Sequence, residues 1–361
     1  MGPLQGIKII EIAGIGPGPF AGMLMADMGA EVIMIERKAS DMRIPDVNRR
    51  GKKSIALNLK DHNDKELLLQ LVAKADILFE GFRPGVMERL GLGPDDCWKR
   101  NQKLIYGRMT GWGQYGPLSQ AAGHDINYIS LTGALHAMGR PDSSPAPPLN
   151  LVGDYGGGAL LLVVGILAAY IEAQSSKKGQ VGDAAMTYGS ALLMSLFNTL
   201  NQLGAWNTER GSNLLDGGAH FYDTYTTKDG KYISIGSIEP QFYQLLIEKM
   251  ELNPEDFKDQ NTKSKWPEMK VKLSDIIRKK TRDEWSQILE GTDVCFAPVL
   301  DYREAPKHPH NVARETYIDI DGFTQPAPAP RFSRTPSSIE FGSQMAGENS
   351  QEILQSWLGQ S

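Results

Sequence analysis

The chain has 361 residues, 41% of them hydrophobic and 22% charged, with 38 Lys and Arg against 43 Asp and Glu for a formal net charge of −5. A domain holds roughly 100–200 residues, so this length points to about two domains, each with its own core, and excludes a disordered chain. The mild acidity excludes a general nucleic-acid or membrane-surface binder, which needs a strong basic field, so any anionic ligand must be met locally.

In chain order, residues 7–12 form a short β-rich apolar run, 13–19 (AGIGPGP) a turn, 20–29 a helical spacing and 31–35 a second apolar run, a βαβ opening. Further strands are expected at 54–59, 77–80 and 104–109, with a helix over 64–73. Strands alternating with helices imply a mostly parallel, helix-covered sheet. Helical runs at 159–174 and 184–203 then lead away from it. After the polar loop 207–218, residues 221–227, the turn Lys228-Asp229-Gly230 and residues 232–236 read as a hairpin, because Asp-Gly favours the tight turn between alternating strands. Helices at 240–251, 266–278 and 282–290, a Pro-rich linker at 325–330 and a closing helix at 351–358 complete the reading. The most apolar stretch, residues 159–171, falls short of the roughly 20 residues that cross a bilayer and reads as a buried helix.

Several motifs carry competing readings. The turn Gly14-Ile15-Gly16-Pro17-Gly18-Pro19, with Glu36 ending the next strand, invites a dinucleotide site. Its detail argues otherwise: Pro19 stands where the third glycine belongs, and Pro17 and Pro19 lack N–H groups for a pyrophosphate. Arg37 and the basic loop Asn48-Arg49-Arg50-Gly51-Lys52-Lys53 are either a solvated surface or part of a phosphate site at the carboxyl end of the sheet, and Arg83 and Arg89 share that ambiguity. Cys97 and Cys295 are far apart without CxxC spacing and read as ordinary thiols. His308 and His310 form an HxH pair with no third ligand at a useful spacing, which gives no support for zinc. Neither a GxSxG elbow nor a P-loop occurs.

Three segments set an ionisable residue among glycines and apolar residues where a helix should start: AGHDINY around His124, LVGDYGGG around Asp154, and IGSIEPQF around Glu239. Singly, each acid reads as a helix cap and the histidine as structural. Gly156, Gly157 and Gly158 cost helix propensity without folding benefit and suit close approach of a bulky ligand, so together the segments read as a site.

On these strings, together with GPLQGIKIIEIAGIGPGPF at the start, residues 103–114, LLDGGAHFYDTY and EGTDVCFAPVL, the chain resembles the α-methylacyl-CoA racemases of the family III CoA-transferase fold group over nearly its whole length. The resemblance implies an α/β protein: a large doubly wound, Rossmann-like parallel-sheet domain over 1–190 with 325–361 packing back, a linker over 191–219, and a smaller α/β domain over 220–324, in an interlocked homodimer. It implies interconversion of (R)- and (S)-2-methylacyl-CoA thioesters through an enolate, the alternative being CoA transfer with Asp154 as nucleophile. His124 and Asp154 are then the acid/base pair and Glu239 the carboxylate that orients or charges the histidine. CoA contacts fall on Arg37, on Leu57, Asn58, Leu59 and Lys60, and on Gly123, Ile126, Asn127 and Tyr128, with Arg83 and Arg89 as phosphate partners. The backbone N–H of Asp125, at the start of the helix begun by GHDIN, is expected to donate to the thioester oxygen as charge develops. No cofactor is expected beyond the CoA of the substrate. Gly153, where some members carry alanine, and His220, where many carry proline, put acyl preference in question. Neither a leader-like start nor an SKL-type end is read at Met1 or at Gly359-Gln360-Ser361, so a cytoplasmic protein is expected, with a mitochondrial or peroxisomal matrix as the alternative.

Overall fold

A computed structural model describes residues 2–39 and 45–360; Met1 and Ser361 lie outside them. The chain divides into two compact units, one made of residues 2–39, 45–134, 148–194 and 317–360, the other of residues 135–147 and 195–316.

The first unit is built on a six-stranded sheet of β1 (Lys8–Ile12), β2 (Glu31–Glu36), β3 (Lys52–Ala56), β4 (Ile77–Glu80), β5 (Ile105–Thr110) and β6 (Val181–Ala185), in the order β3-β2-β1-β4-β5-β6. Every neighbouring pair is parallel. Helices cover both faces, so the strands are apolar on both sides. Ile9 faces a core with Met25, Phe79, Ile105 and Ile166, while the next residue, Ile10, faces another with Ile33, Leu68, Leu71 and Tyr106. β1 pairs with both β2 and β4, so the winding reverses between β1 and β4, and the crevice at the carboxyl ends of these two strands is where such sheets take ligands.

Strand β6 is the element the sequence conceals. Its residues, VGDAA, are poor strand formers, and the periodicity there reads as one helix over 184–203. Instead the chain pairs with β5, Tyr106 opposite Val181, and only then forms the helices Met186–Leu193 and Ser195–Gln202. The apolar stretch at 159–171 also differs from expectation. It lies in a continuous helical run, Leu151–Ser176, of 26 residues, long and apolar enough by length and composition to cross a membrane. One stripe is buried (Leu162, Val163, Ile166, Ala169, Ala173), while Val164 and Ile171 are 63% and 69% exposed, so the helix is not buried all round.

The basic loop at 48–53 is neither a solvated surface nor a phosphate platform. The Arg49 guanidinium donates to both carboxylate oxygens of Glu36 at 2.9 and 2.7 Å. Arg50 donates to both oxygens of Asp27, and fully buried Lys52 reaches Glu11 at 2.7 Å and the Pro19 carbonyl at 3.2 Å. Glu36 is thereby committed to Arg49 and to the Ser54 hydroxyl, which removes the ribose-binding reading of that acid. The loop's charges fasten β3 to the opening βαβ unit. A Cβ on Gly22 would stand 2.0 Å from Glu11 Oε2, so a glycine is needed for that pair to form.

The second unit carries an antiparallel sheet, β7 (Tyr222–Thr226), β8 (Tyr232–Gly236) and β9 (Phe296–Val299), in that order. The Asp-Gly hairpin forms with Gly230 at φ 75°, as its turn type requires. Helices Pro240–Lys249, Trp266–Ile277 and Arg282–Leu289 enclose a core of Phe221, Tyr243, Trp266 and Trp285. β9 escapes pattern reading because it is four residues long, contains Pro298 and sits at the sheet edge. Of residues 191–219, read as a linker, 195–219 belong to this unit, and so does the loop 135–147. The Arg210 guanidinium holds that loop by donating to the carbonyls of His136, Arg140 and Ser143. The run at 325–330 is also more than a linker: β10 (Tyr317–Ile320) pairs antiparallel with β11 (Phe323–Pro326) in the first unit.

Candidate active site

A cavity of about 960 Å³ opens at the carboxyl edge of the parallel sheet. The loops after β1 (Gly14–Gly18), β4 (Gly81–Pro84) and β5 (Gly111 and Trp112) form its walls, with Gly123, His124, Asn127, Tyr128, Asn150 and Asp154 completing them. Its position between the ends of β1 and β4 is the switch point of the winding.

His124 is the cap of the helix Asp125–Ser130: its backbone is extended (φ −131°, ψ 175°), its carbonyl accepts from Asn127, and its N–H donates to the Asn127 side chain at 3.0 Å. The His124 side chain is exposed at the cavity. The wall beneath it is fixed by Tyr128, whose hydroxyl donates to the Gly123 carbonyl and whose ring meets Trp112 edge-on at 4.7 Å.

Asp154 comes from another element, a π-helical stretch Leu151–Ala159 that opens the long helix. Wide helical turns of this kind concentrate at functional sites. Asp154 Oδ2 accepts from Asn150 at 3.3 Å, and the backbone N–H of Asp154 donates to Asp125 Oδ2 at 2.6 Å. Tyr155 stacks on Phe20 at 4.3 Å and fixes the stretch against the first helix. Burial raises the Asp154 carboxyl above the usual carboxylate range, the Asn150 hydrogen bond opposes this, the Asp125 charge adds to it and His124 lowers it. A partly desolvated aspartate beside an exposed histidine is suited to giving and taking protons.

The expected site residues thus fall into groups. His124, Asp154, Gly123, Asn127, Tyr128 and Arg83 share the cavity. Arg37 and Leu57–Lys60 do not line it; they follow β2 and β3, whose ends pair at Glu36 and Ala56, and so lie side by side further along the same carboxyl edge. Leu57 is buried, whereas Arg37, Asn58 and Lys60 are exposed. Arg89 and Ile126 are exposed outside the cavity lining, and Asp125 is buried. Glu239 belongs to the second unit, where it is the exposed cap of helix Pro240–Lys249 and its carbonyl accepts from Phe242 and Tyr243. His220 is no acyl-pocket residue of the cavity: it is fully buried among Phe221, Tyr243 and Phe257, with Nε2 2.6 Å from the Tyr243 hydroxyl. Burial, aided by Lys270, lowers its pKa to about 4. Among residues not foreseen, Asn150 donates to Asp154, and Gly16 leaves room for its carboxylate, since a Cβ there would stand 3.0 Å from Oδ2; Asn150 lies four places before Asp154, the only hint available from sequence.

The family model described as CoA-transferase family III matches residues 4–350. The chain belongs to CoA-transferase family III. It is 47% identical over 335 residues to the α-methylacyl-CoA racemase of Mus musculus, covering 92% of this chain and 87% of that one. It is 43% identical over 356 residues to the α-methylacyl-CoA racemase of Homo sapiens, covering 98% and 92%. It is also similar to the succinyl-CoA:glutarate CoA-transferase of Homo sapiens, at 29% identity over 388 residues, covering 99% of this chain and 86% of that one. Among solved structures, a hypothetical protein of Mycobacterium tuberculosis superposes with a TM-score of 0.81 at 26% identity, covering 98% and 99%. A CAIB/BAIF family protein from Brucella suis shares the fold with a TM-score of 0.84 at 24% identity, covering 99% of each chain.

Proposed function

We propose that this family III member interconverts the (R)- and (S)-epimers of 2-methylacyl-CoA thioesters by removing the α-proton and returning one to the opposite face. The observation that carries the reading is that His124 and Asp154, from separate elements, line one cavity at the switch point of the sheet. Racemisation needs two such groups, one per face, and no further cofactor. The racemases at 47% and 43% identity support the same reading.

An ordinary aspartate, near pKa 3.9, and an ordinary histidine, near 6.5, are far too weak to deprotonate a thioester α-carbon unaided, so the enolate must be stabilised. The backbone N–H of Asp125, at the positive end of the helix begun by His124, is the proposed donor to the thioester oxygen. In this reading Arg83 at the cavity, and Arg37, Leu57–Lys60 and Arg89 beyond it, meet the CoA. Two copies of the chain form an interlocked dimer in which Glu239 orients His124.

A second reading, CoA transfer with Asp154 as nucleophile, is favoured by the aspartate's access to the cavity and by the transferase relatives. It leaves His124 without a task. The test is incubation of a single 2-methylacyl-CoA epimer in D2O with wild type, His124→Ala and Asp154→Asn. Deuterium at the α-carbon with loss of optical purity in wild type only supports the racemase; passage of CoA to an added free acid, retained in His124→Ala, supports the transferase.

A further inference from the structure

Asp125 follows His124 directly, yet its side chain is buried, 7% exposed, and does not line the cavity. Its Oδ2 accepts the backbone N–H of Asp154 at 2.6 Å, across 29 residues of sequence. Asp154 stands in the first turn of the π-helical stretch, where backbone N–H groups have no partner within the helix; the first wide-turn bond, from Tyr155 to the Asn150 carbonyl, comes one residue later. The Asp125 carboxylate is therefore a cap supplied from another element, and the helix dipole favours a negative charge there. The contact depends on Gly153, since a Cβ at that position would lie 2.5 Å from Asp125 Oδ2.

The other oxygen, Oδ1, is buried with no hydrogen-bond partner among the described residues. Leaving a buried carboxylate oxygen unsatisfied costs free energy, and an apolar residue at position 125 would avoid that cost. We propose that Asp125 is a positioning residue, whose peptide carries His124 and whose carboxylate fixes the backbone of Asp154, so that the two proton-transfer groups are held at a set separation. This rests on the reading that both groups transfer protons. The groups facing Asp154 are Asp125, His124, Asn150 and the Tyr128 phenol. After burial, the Asp125 charge helps to hold the Asp154 carboxyl up, so its removal also has an electrostatic signature.

Two variants separate these roles. Asp125→Ala removes the acceptor and the charge; Asp125→Asn retains an acceptor oxygen and removes the charge. Two readouts need no turnover: hydrogen exchange of the Asp154 amide and the 13C titration of its carboxyl. The exchange rate should rise about tenfold in Asp125→Ala and stay within about threefold in Asp125→Asn, as loss of one charge-assisted hydrogen bond implies. The Asp154 titration should move to lower pH in Asp125→Asn. With substrate, kcat of Asp125→Ala should fall about tenfold or more while KM stays within about threefold, because misplacing a proton-transfer group taxes the chemical step. Unchanged exchange in Asp125→Ala and unchanged titration in Asp125→Asn would overturn the proposal. If Asp125→Ala fails to fold, the titration of Asp125→Asn decides alone. Failure of wild type to exchange the substrate's α-proton overturns the racemase reading instead and leaves these two readouts standing.

Discussion

Gly16 clears the space that the Asp154 carboxylate occupies: a Cβ on Gly16 would stand 3.0 Å from Asp154 Oδ2. Gly16 also holds φ at 70°, a conformation glycine adopts without strain. The glycine-proline turn after β1, which suggests a phosphate loop in sequence, is thus the wall against which Asp154 rests. Gly16→Ala combines backbone strain with contact on the carboxylate. It is expected to lower kcat about tenfold or more with a smaller change in KM, measured by steady-state epimerisation of a 2-methylacyl-CoA.

Asp154 also predicts a stability change of defined sign. Its folded-state pKa is raised, chiefly by burial, so the protonated form is the one folding favours. Its contribution is fully present below the unfolded carboxylate value, about 3.9, and is lost as pH rises through the folded value. At neutral pH the ionised group is therefore a cost, and Asp154→Asn should melt at or above wild type while inactive. A clear drop in its melting temperature at pH 7 would contradict this.

His220 gives the opposite window. Its pKa falls from 6.5 to about 4 on folding, so the neutral form is favoured in the core. That stability is present above the unfolded value and is lost as pH falls from about 6.5 through about 4, an effect of about 3 kcal/mol for a fully buried ring. The second unit should therefore loosen in mild acid, read by the fluorescence of Trp266 and Trp285, whereas the same measurement on His220→Phe should show a weaker acid transition over that window.

The pair Lys52 and Glu11 has both side chains fully buried. Lys52→Met leaves Glu11 charged and unpaired, or forces it to take a proton, and should cost about 3–5 kcal/mol. Chemical denaturation of Lys52→Met against the double variant Lys52→Met/Glu11→Gln measures it; equal stability of wild type and the single variant would contradict it.

Much of the fold is legible in sequence where local pattern and tertiary role agree. The apolar runs of β1, β2, β4 and β5, the Asp-Gly hairpin and the helices of the second unit all follow from periodicity and turn chemistry. β6 fails that test because Gly182, Asp183 and Ala184 are strand residues only by virtue of pairing with β5. The site is legible to the same degree. His124 and Asp154 stand out by their glycine-rich surroundings, but the Asp125 to Asp154 bond joins positions 29 apart and carries no local signature. The basic loop misleads for a related reason: charge in sequence does not tell a ligand site from an ion pair, and Arg49, Arg50 and Lys52 find their partners on strands and helices elsewhere.

In the proposed reaction His124 and Asp154 transfer protons on opposite faces of one α-carbon. The most direct measurement starts from each pure epimer of a 2-methylacyl-CoA in D2O and follows deuterium separately in product and unreacted substrate at early times. Two distinct bases predict product that carries solvent deuterium from its first appearance in both directions, with epimerisation lost by about 100-fold or more in His124→Ala and in Asp154→Asn. Product that retains the original proton, or full epimerisation in either variant, would contradict it.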